Sequence, residues 1–166
     1  MVILPTLIKP QIAGFAVAFT GIICGLTLGT GVLVQQPARR LEVRRPGGVT
    51  VLGMLGTLLG VLLTVLTVSR HSVALVLGAS VVLGAGYGMT LVGGLTTVER
   101  CTPPSELGMT NAVFYSLTYA GFTVPTIVSV LVQHWPERVV LLGLAGLALL
   151  SLVAATRAQR VVRSAV

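Results

Sequence analysis

The amino-acid sequence predicts an all-α integral membrane protein, a single-domain bundle of five transmembrane helices. Two observations predict this fold class. Of the 166 residues, 54% are hydrophobic and only 9% are charged, whereas soluble domains carry about a quarter charged residues. The few charges leave five uncharged intervals, and a helix of about 20 apolar residues crosses a hydrocarbon core of roughly 30 Å. A soluble enzyme, a disordered chain and a secreted disulfide scaffold are therefore excluded.

The five predicted spans follow one another with short connections. They are residues 12–34 (span A), 48–68 (span B), 73–98 (span C), 107–132 (span D) and 139–156 (span E). Residues 1–10 are apolar but too short to cross, so we interpret them as the remnant of a preceding helix or outer loop. An odd number of helices, with the first entering from outside, predicts that upstream helices are missing. Residues 157–166 are predicted to form a cytoplasmic tail.

The distribution of basic residues predicts the orientation of the bundle, because loops rich in Lys and Arg stay in the cytoplasm. Eight basic residues lie on one side, in the A/B loop, the C/D loop and the tail, against three on the other side. The four in the A/B loop are Arg39, Arg40, Arg44 and Arg45. The N-terminus is therefore predicted to lie outside and the C-terminus in the cytoplasm of a multi-pass cell-membrane protein.

Span D carries a polar and aromatic stripe along one face, since a rotation of about 100° per residue brings its members into one arc. Polar side chains are costly against lipid, so we expect the stripe to face protein or a water-filled cavity that binds a substrate. A helix interface held by hydrogen bonds is the alternative. The predicted cavity wall consists of Asn111, Tyr115, Thr118, Tyr119 and Phe122 from span D and Tyr87 from span C.

Glycine and proline mark the predicted packing and gating positions. Gly84 and Gly88 thin the middle of span C, which favours close helix packing or a flexible gate. A nucleotide-binding GxGxxG motif is excluded because Met89 replaces its third glycine. In span A, a GxxxGxxxG ridge allows a neighbouring backbone to approach; it consists of Gly21, Gly25 and Gly29. Pro125 is expected to kink span D, and spans A, C and D are predicted to be central while B and E are peripheral.

One stretch resembles a known family. Residues 84–125 read GAGYGMTLVGGLTTVERCTPPSELGMTNAVFYSLTYAGFTVP and are similar to the tenth helix, inner loop and eleventh helix of bacterial, drug-exporter-like members of the major facilitator superfamily. The whole chain resembles helices eight to twelve of such a transporter, its C-terminal half. Residues 36–48, QPARRLEVRRPGG, resemble a degenerate copy of the family's basic loop that lacks the usual Asp. The resemblance implies two helix bundles that alternate access to a midplane site.

The sequence offers little chemistry beyond transport. Asp is absent and all four Glu lie at span ends or in loops, so no carboxylate in the hydrocarbon region can carry a coupling proton. Glu99 and Arg100 could form a cytoplasmic gate pair, although a solvated pair is the simpler interpretation. His71 and His134 have no second metal ligand nearby in sequence. We predict no enzyme, metal or cofactor, and we expect the arginine clusters to contact anionic lipid headgroups rather than nucleic acid.

Three functional hypotheses remain. The leading one is the C-terminal portion of a secondary transporter of the major facilitator type for a small, moderately apolar organic solute or drug; the resemblance to drug exporters implies efflux. Its partners would be the lipid bilayer, the small-molecule substrate and the missing N-terminal half or another membrane chain. The second hypothesis is a freestanding five-helix membrane subunit that associates through its glycine faces. The third is an inactive, truncated transporter fragment.

Overall fold

The structure, a computed structural model, describes residues 16–70 and 72–164, with side chains described for residues 17–68, 70 and 72–158. These residues form α1 (Ala16–Arg44), α2 (Gly48–Arg70), α3 (Val73–Cys101), α4 (Leu107–Ala120), a 3-10 helix (Gly121–Thr123), α5 (Val124–His134) and α6 (Glu137–Ser164). Within the described ranges, five helical stretches are long and apolar enough to cross a membrane. The predicted all-α membrane fold with five spans is confirmed. The predicted remnant at residues 1–10, the first residues of span A, His71 and the last two residues of the tail lie outside the described residues.

Helix α1 extends well beyond the predicted end of span A at residue 34, through Pro37 to Arg44. Pro37 removes one backbone donor, but the following turn is held by packing, since Ala38 is buried against Val49 and Val92 of the two neighbouring helices. Three of the four arginines assigned to the A/B loop are therefore helical. Only residues 45–47 remain between α1 and α2.

Helix α3 is the centre of the bundle, because it packs along α1 on one side and along α2 on the other. Glycines in α3 bring its backbone into direct contact with the backbones of both neighbouring helices. A Cβ placed on Gly84 would collide with the backbone carbonyl of Thr27 in α1, and one on Gly88 with that of Gly31. On the opposite side, a Cβ on Gly86 would lie 2.6 Å from the backbone nitrogen of Thr57 in α2. Small residues thus allow the close helix approach that supports association in a membrane.

The prediction that span B is peripheral is wrong. Helix α2 packs against α3 along its length and against α6 with another face, and its Thr64 and Thr67 are buried. Both hydroxyls donate to carbonyls of their own helix, at 2.9 Å from Gly60 and 3.0 Å from Leu63. A threonine whose hydroxyl is satisfied in this way presents only small apolar groups to its neighbour. Thr64 and Thr67 are therefore packing residues.

Span D, predicted to be central, has little cover in the described structure. In its most apolar stretch of 18 residues, only 6% is buried, against 39% in the corresponding stretch of α3. Helix α4 makes few contacts with α3, and α5 makes few with α6. Span E is peripheral in the described structure, as predicted, since only 6% of its most apolar stretch is buried. Helix α6 packs chiefly on α2 and buries Leu141, Ala145 and Leu152.

The glycine ridge of α1, formed by Gly21, Gly25 and Gly29, has no neighbour among the described residues. A Cβ added to any of the three would meet nothing within 4 Å. The close approach to α3 is made from a different face of α1, through Thr27 and Gly31. The ridge therefore leaves an open surface on which another backbone could lie.

Candidate functional site

A row of stacked aromatic rings runs along the exposed face of span D. The ring centroids of Tyr115 and Tyr119 are 6.3 Å apart, and those of Tyr119 and Phe122 are 6.2 Å apart. The interplanar angles of 29° and 25° are those of offset stacks. Phe114 meets Tyr115 edge-on from the buried side, at 5.7 Å. We call Tyr115, Tyr119 and Phe122 the aromatic row; it brings together three of the residues that the sequence predicts for the cavity wall.

The row crosses a short 3-10 turn within span D. Helix α4 ends at Ala120, a 3-10 helix covers Gly121–Thr123, and α5 begins at Val124 with Pro125 in its first turn. Pro125 has no N–H, and its ring crowds the carbonyl four residues earlier, that of Gly121. The turn before the proline tightens as a result, and the N–H of Val124 bonds to the Gly121 carbonyl instead. Phe122 therefore lies within this 3-10 turn, three residues before the predicted gating position Pro125.

The three other predicted wall residues lie apart from the row in different ways. Tyr87 of α3 approaches α1, where its ring lies 3.6 Å from the position of a Cβ on Gly31, and within the described residues it forms no ring pair. Thr118 donates its hydroxyl to the carbonyl of Phe114, at 2.9 Å. Asn111 has a buried amide oxygen without a partner in the described structure. A buried acceptor left unpaired costs roughly 1–3 kcal/mol in stability. A donor that reached this oxygen would recover part of that free energy by hydrogen bonding to it.

A small polar cavity lies beside the first ring of the row. Its volume is about 70 Å³ and it opens between α1, α3 and α4. The polar side chains on its wall are Gln35 and Arg39 from α1, Thr96 and Glu99 from α3, and Tyr115 from α4. Pockets that enclose whole drug-sized ligands measure about 300–1,000 Å³. This cavity therefore accommodates several waters or one polar end of a larger solute.

Opposite charges face this cavity without neutralising each other. Arg39 and Glu99 are both exposed, and neither forms an ion pair within the described ranges. Thr96 has its hydroxyl occupied by carbonyls of its own helix, at 2.9 and 3.1 Å. The charged groups, the amide of Gln35 and the hydroxyl of Tyr115 are thus the ones available to a solute or to water.

A buried carboxylate organises the connection between α1 and α2. Glu42 is 1% exposed, and its Oε1 accepts the N–H of Gly47 at 2.6 Å while its Oε2 accepts the N–H of Val49 at 3.2 Å. Arg100, at the end of α3, places Nη1 at 3.4 Å from Oε1 and donates from Nη2 to the Glu42 carbonyl at 3.4 Å. We call these four residues the Glu42 cluster. The Glu99–Arg100 pair considered from the sequence is replaced by a pair between distant parts of the chain.

The family model of the Major Facilitator Superfamily matches residues 1–165. The chain belongs to this superfamily. Its members are membrane transporters, and the five apolar helices agree with a multi-pass membrane protein of that kind. Comparison with curated proteins and with solved structures gave no match.

Sequence reasoning for this superfamily chain missed two parts of the site. The cavity joins Gln35 and Arg39, which are one helical turn apart, to Glu99 on another helix; the i, i+4 spacing of the first two was a visible signal. Glu42 carried no such signal, because only its burial distinguishes it from a solvated loop residue. Among the described residues, no group of three or more His, Cys, Asp or Glu side chains could hold a metal ion.

Proposed function

We propose that this chain forms one wall of the solute path in an alternating-access transporter for a small, moderately apolar organic solute or drug. The observation that carries the proposal is the exposed aromatic row next to a small polar cavity. Stacked rings offer apolar contact and cation–π attraction of about 0.5–2 kcal/mol each. The cavity, with Arg39 and Glu99 on its wall, suits the polar end of the same solute.

The opposite wall must come from another bundle. Tyr119 is 64% exposed and Phe122 is 56% exposed, so the described helices cover one side of the row only. In alternating access, two bundles rock against each other around a site near the membrane midplane. An N-terminal transporter half, or another membrane chain, would close the path over the row.

Removing either of the two exposed rings is expected to weaken solute binding without unfolding the protein. In a transporter completed with an N-terminal half, Tyr119→Ala and Phe122→Ala should each lower substrate affinity by about two- to thirtyfold. Both side chains are more than half exposed, so little packing within the chain is lost. The measurement is the concentration dependence of substrate flux in reconstituted vesicles, with expression and monodispersity recorded for every variant.

Two controls separate a path wall from ordinary packing. Leu147→Ala removes a side chain of similar exposure, 62%, from α6 and should leave affinity unchanged. Gly56→Leu inserts a side chain where a Cβ would already lie 3.2 Å from Gly86, and should reduce the yield of folded protein. Unchanged affinity and substrate range in well-folded Tyr119→Ala and Phe122→Ala proteins would exclude the row from the path.

We propose a cell-membrane location with the N-terminus outside and the C-terminus in the cytoplasm, supported by the excess of arginines at one end of the helices. In a background without Cys24 and Cys101, a cysteine replacing Arg44 should resist an impermeant maleimide added outside intact cells. A cysteine replacing Arg138 should react. The reverse labelling pattern would invert the topology.

A freestanding five-helix membrane subunit is the alternative, and the open glycine ridge of α1 favours it. A ridge of this kind suits close association with another transmembrane helix. Solute flux in vesicles that contain only these 166 residues would support this alternative. Flux that requires an N-terminal half would support the two-bundle transporter.

A further inference from the structure

Three arginines around the connection between α1 and α2 have no acidic partner in the described part of the chain. Arg40, Arg44 and Arg45 are exposed, and their side chains make no hydrogen bond or ion pair with described residues. The only carboxylate between residues 36 and 48 is that of Glu42. It is buried, and the Glu42 cluster already engages it.

Backbone hydrogen bonds and the Glu42 cluster together hold the connection that follows Arg40 and Arg44. The N–H of Arg45 bonds to the carbonyl of Leu41 at 2.8 Å, and the N–H of Gly48 bonds to the carbonyl of Arg45 at 3.0 Å. Gly47 has a φ of 77°, which allows the chain to reverse at low conformational cost. Since Glu42 holds this turn from the inside, the guanidinium groups of Arg44 and Arg45 stay outside. Arg40 and Arg44 are one helical turn apart and share a face of α1.

The three arginines lie where one candidate span ends and the next begins. Helices α1 and α2 are both candidate membrane spans, so the segment between them is expected to lie at the headgroup region of a bilayer. Guanidinium groups bind phosphate oxygens through paired, charge-assisted hydrogen bonds. The one carboxylate of this segment, Glu42, is buried and already hydrogen-bonded. A lipid phosphodiester would supply the negative charge that pairs with the arginines.

We propose that Arg40, Arg44 and Arg45 form a binding site for the phosphodiester headgroup of an anionic membrane phospholipid, and that Glu42 is its positioning residue. The site goes beyond general attraction of basic loops to an acidic membrane surface, because its geometry depends on a buried carboxylate. Charge counting and site geometry therefore predict opposite effects for Glu42→Gln. That substitution removes a negative charge but also loosens the turn.

The test measures lipid selectivity of the 166-residue chain in phosphatidylcholine vesicles. Electron paramagnetic resonance of spin-labelled phosphatidylglycerol and spin-labelled phosphatidylcholine gives the ratio of their association constants with the protein. Replacing Arg40, Arg44 and Arg45 together by Gln should lower this ratio by about threefold or more. Replacing Arg157, Arg160 and Arg163 by Gln removes the same charge and should lower it less. Circular dichroism establishes that each variant retains its helices.

Glu42→Gln should also lower the ratio, although it makes the protein more positive. A ratio that rises in Glu42→Gln, or that falls equally in the two triple variants, would overturn the proposal in favour of undirected electrostatic attraction. An unchanged ratio in the Arg40, Arg44 and Arg45 variant would overturn it outright. Inorganic phosphate should not displace the labelled phosphatidylglycerol, and displacement would assign the site to a free anion instead of a lipid.

Discussion

Replacing Gly84 by alanine is expected to destabilise the helix bundle by about 2–3 kcal/mol. The added Cβ would collide with the backbone carbonyl of Thr27, and a backbone carbonyl cannot turn aside as a flexible side chain can. Helices α1 and α3 would have to move apart along a contact that Gly88 and Gly31 also share. A leucine at this position should abolish folding. Unfolding free energies in mixed detergent micelles provide the measurement.

Gly78 supplies the matched control on the same helix. A Cβ there meets nothing within 4 Å, so Gly78→Ala gains helix propensity of about 1 kcal/mol with no collision. Gly78→Ala should therefore be neutral or stabilising. Equal stabilities of the Gly84→Ala and Gly78→Ala proteins would show that α1 and α3 are not in backbone contact.

Replacing Glu42 by alanine is expected to cost about 3 kcal/mol, because two backbone donors, one buried and one partly buried, lose their acceptor. Those donors are the N–H groups of Gly47, just before α2, and of Val49 in its first turn. Glu42→Gln keeps one acceptor oxygen and should cost less, about 1–2 kcal/mol. Thermal and denaturant unfolding of the purified protein measures both. Glu99→Ala, at an exposed carboxylate, is the control and should change stability little.

The ion pair with Arg100 should contribute little to that loss. The Arg100 side chain is 44% exposed and the two charged atoms are 3.4 Å apart, so water screens the attraction. Arg100→Gln should then cost less than about 1 kcal/mol, and a double-mutant cycle with Glu42→Gln should give a coupling energy of the same size. If Arg100→Gln cost as much as Glu42→Ala, the ion pair would be the main stabilising interaction of the cluster.

The aromatic row shows what a helical spacing within one span can predict about side-chain placement. Tyr115, Tyr119 and Phe122 follow a helical spacing that is visible in the sequence, and the rings do stack in succession. Tyr87 shares their chemistry but lies on another helix, and its neighbour proved to be Gly31 of α1. Placement of Tyr87 depended on how α3 is rotated between α1 and α2, which no spacing within span C encodes.

Composition and charge spacing by themselves determined that this chain is an all-α membrane protein with five spans, because hydrogen bonding in lipid forces each long apolar interval to become a helix. The glycines of span C likewise indicated close packing. Only the tertiary structure decided which helices meet: it buried the threonines of α2 and left the α1 ridge open. It also brought Glu42 to Arg100 across 58 positions of sequence. Such contacts depend on the crossing and rotation of whole helices, and a local periodicity constrains neither.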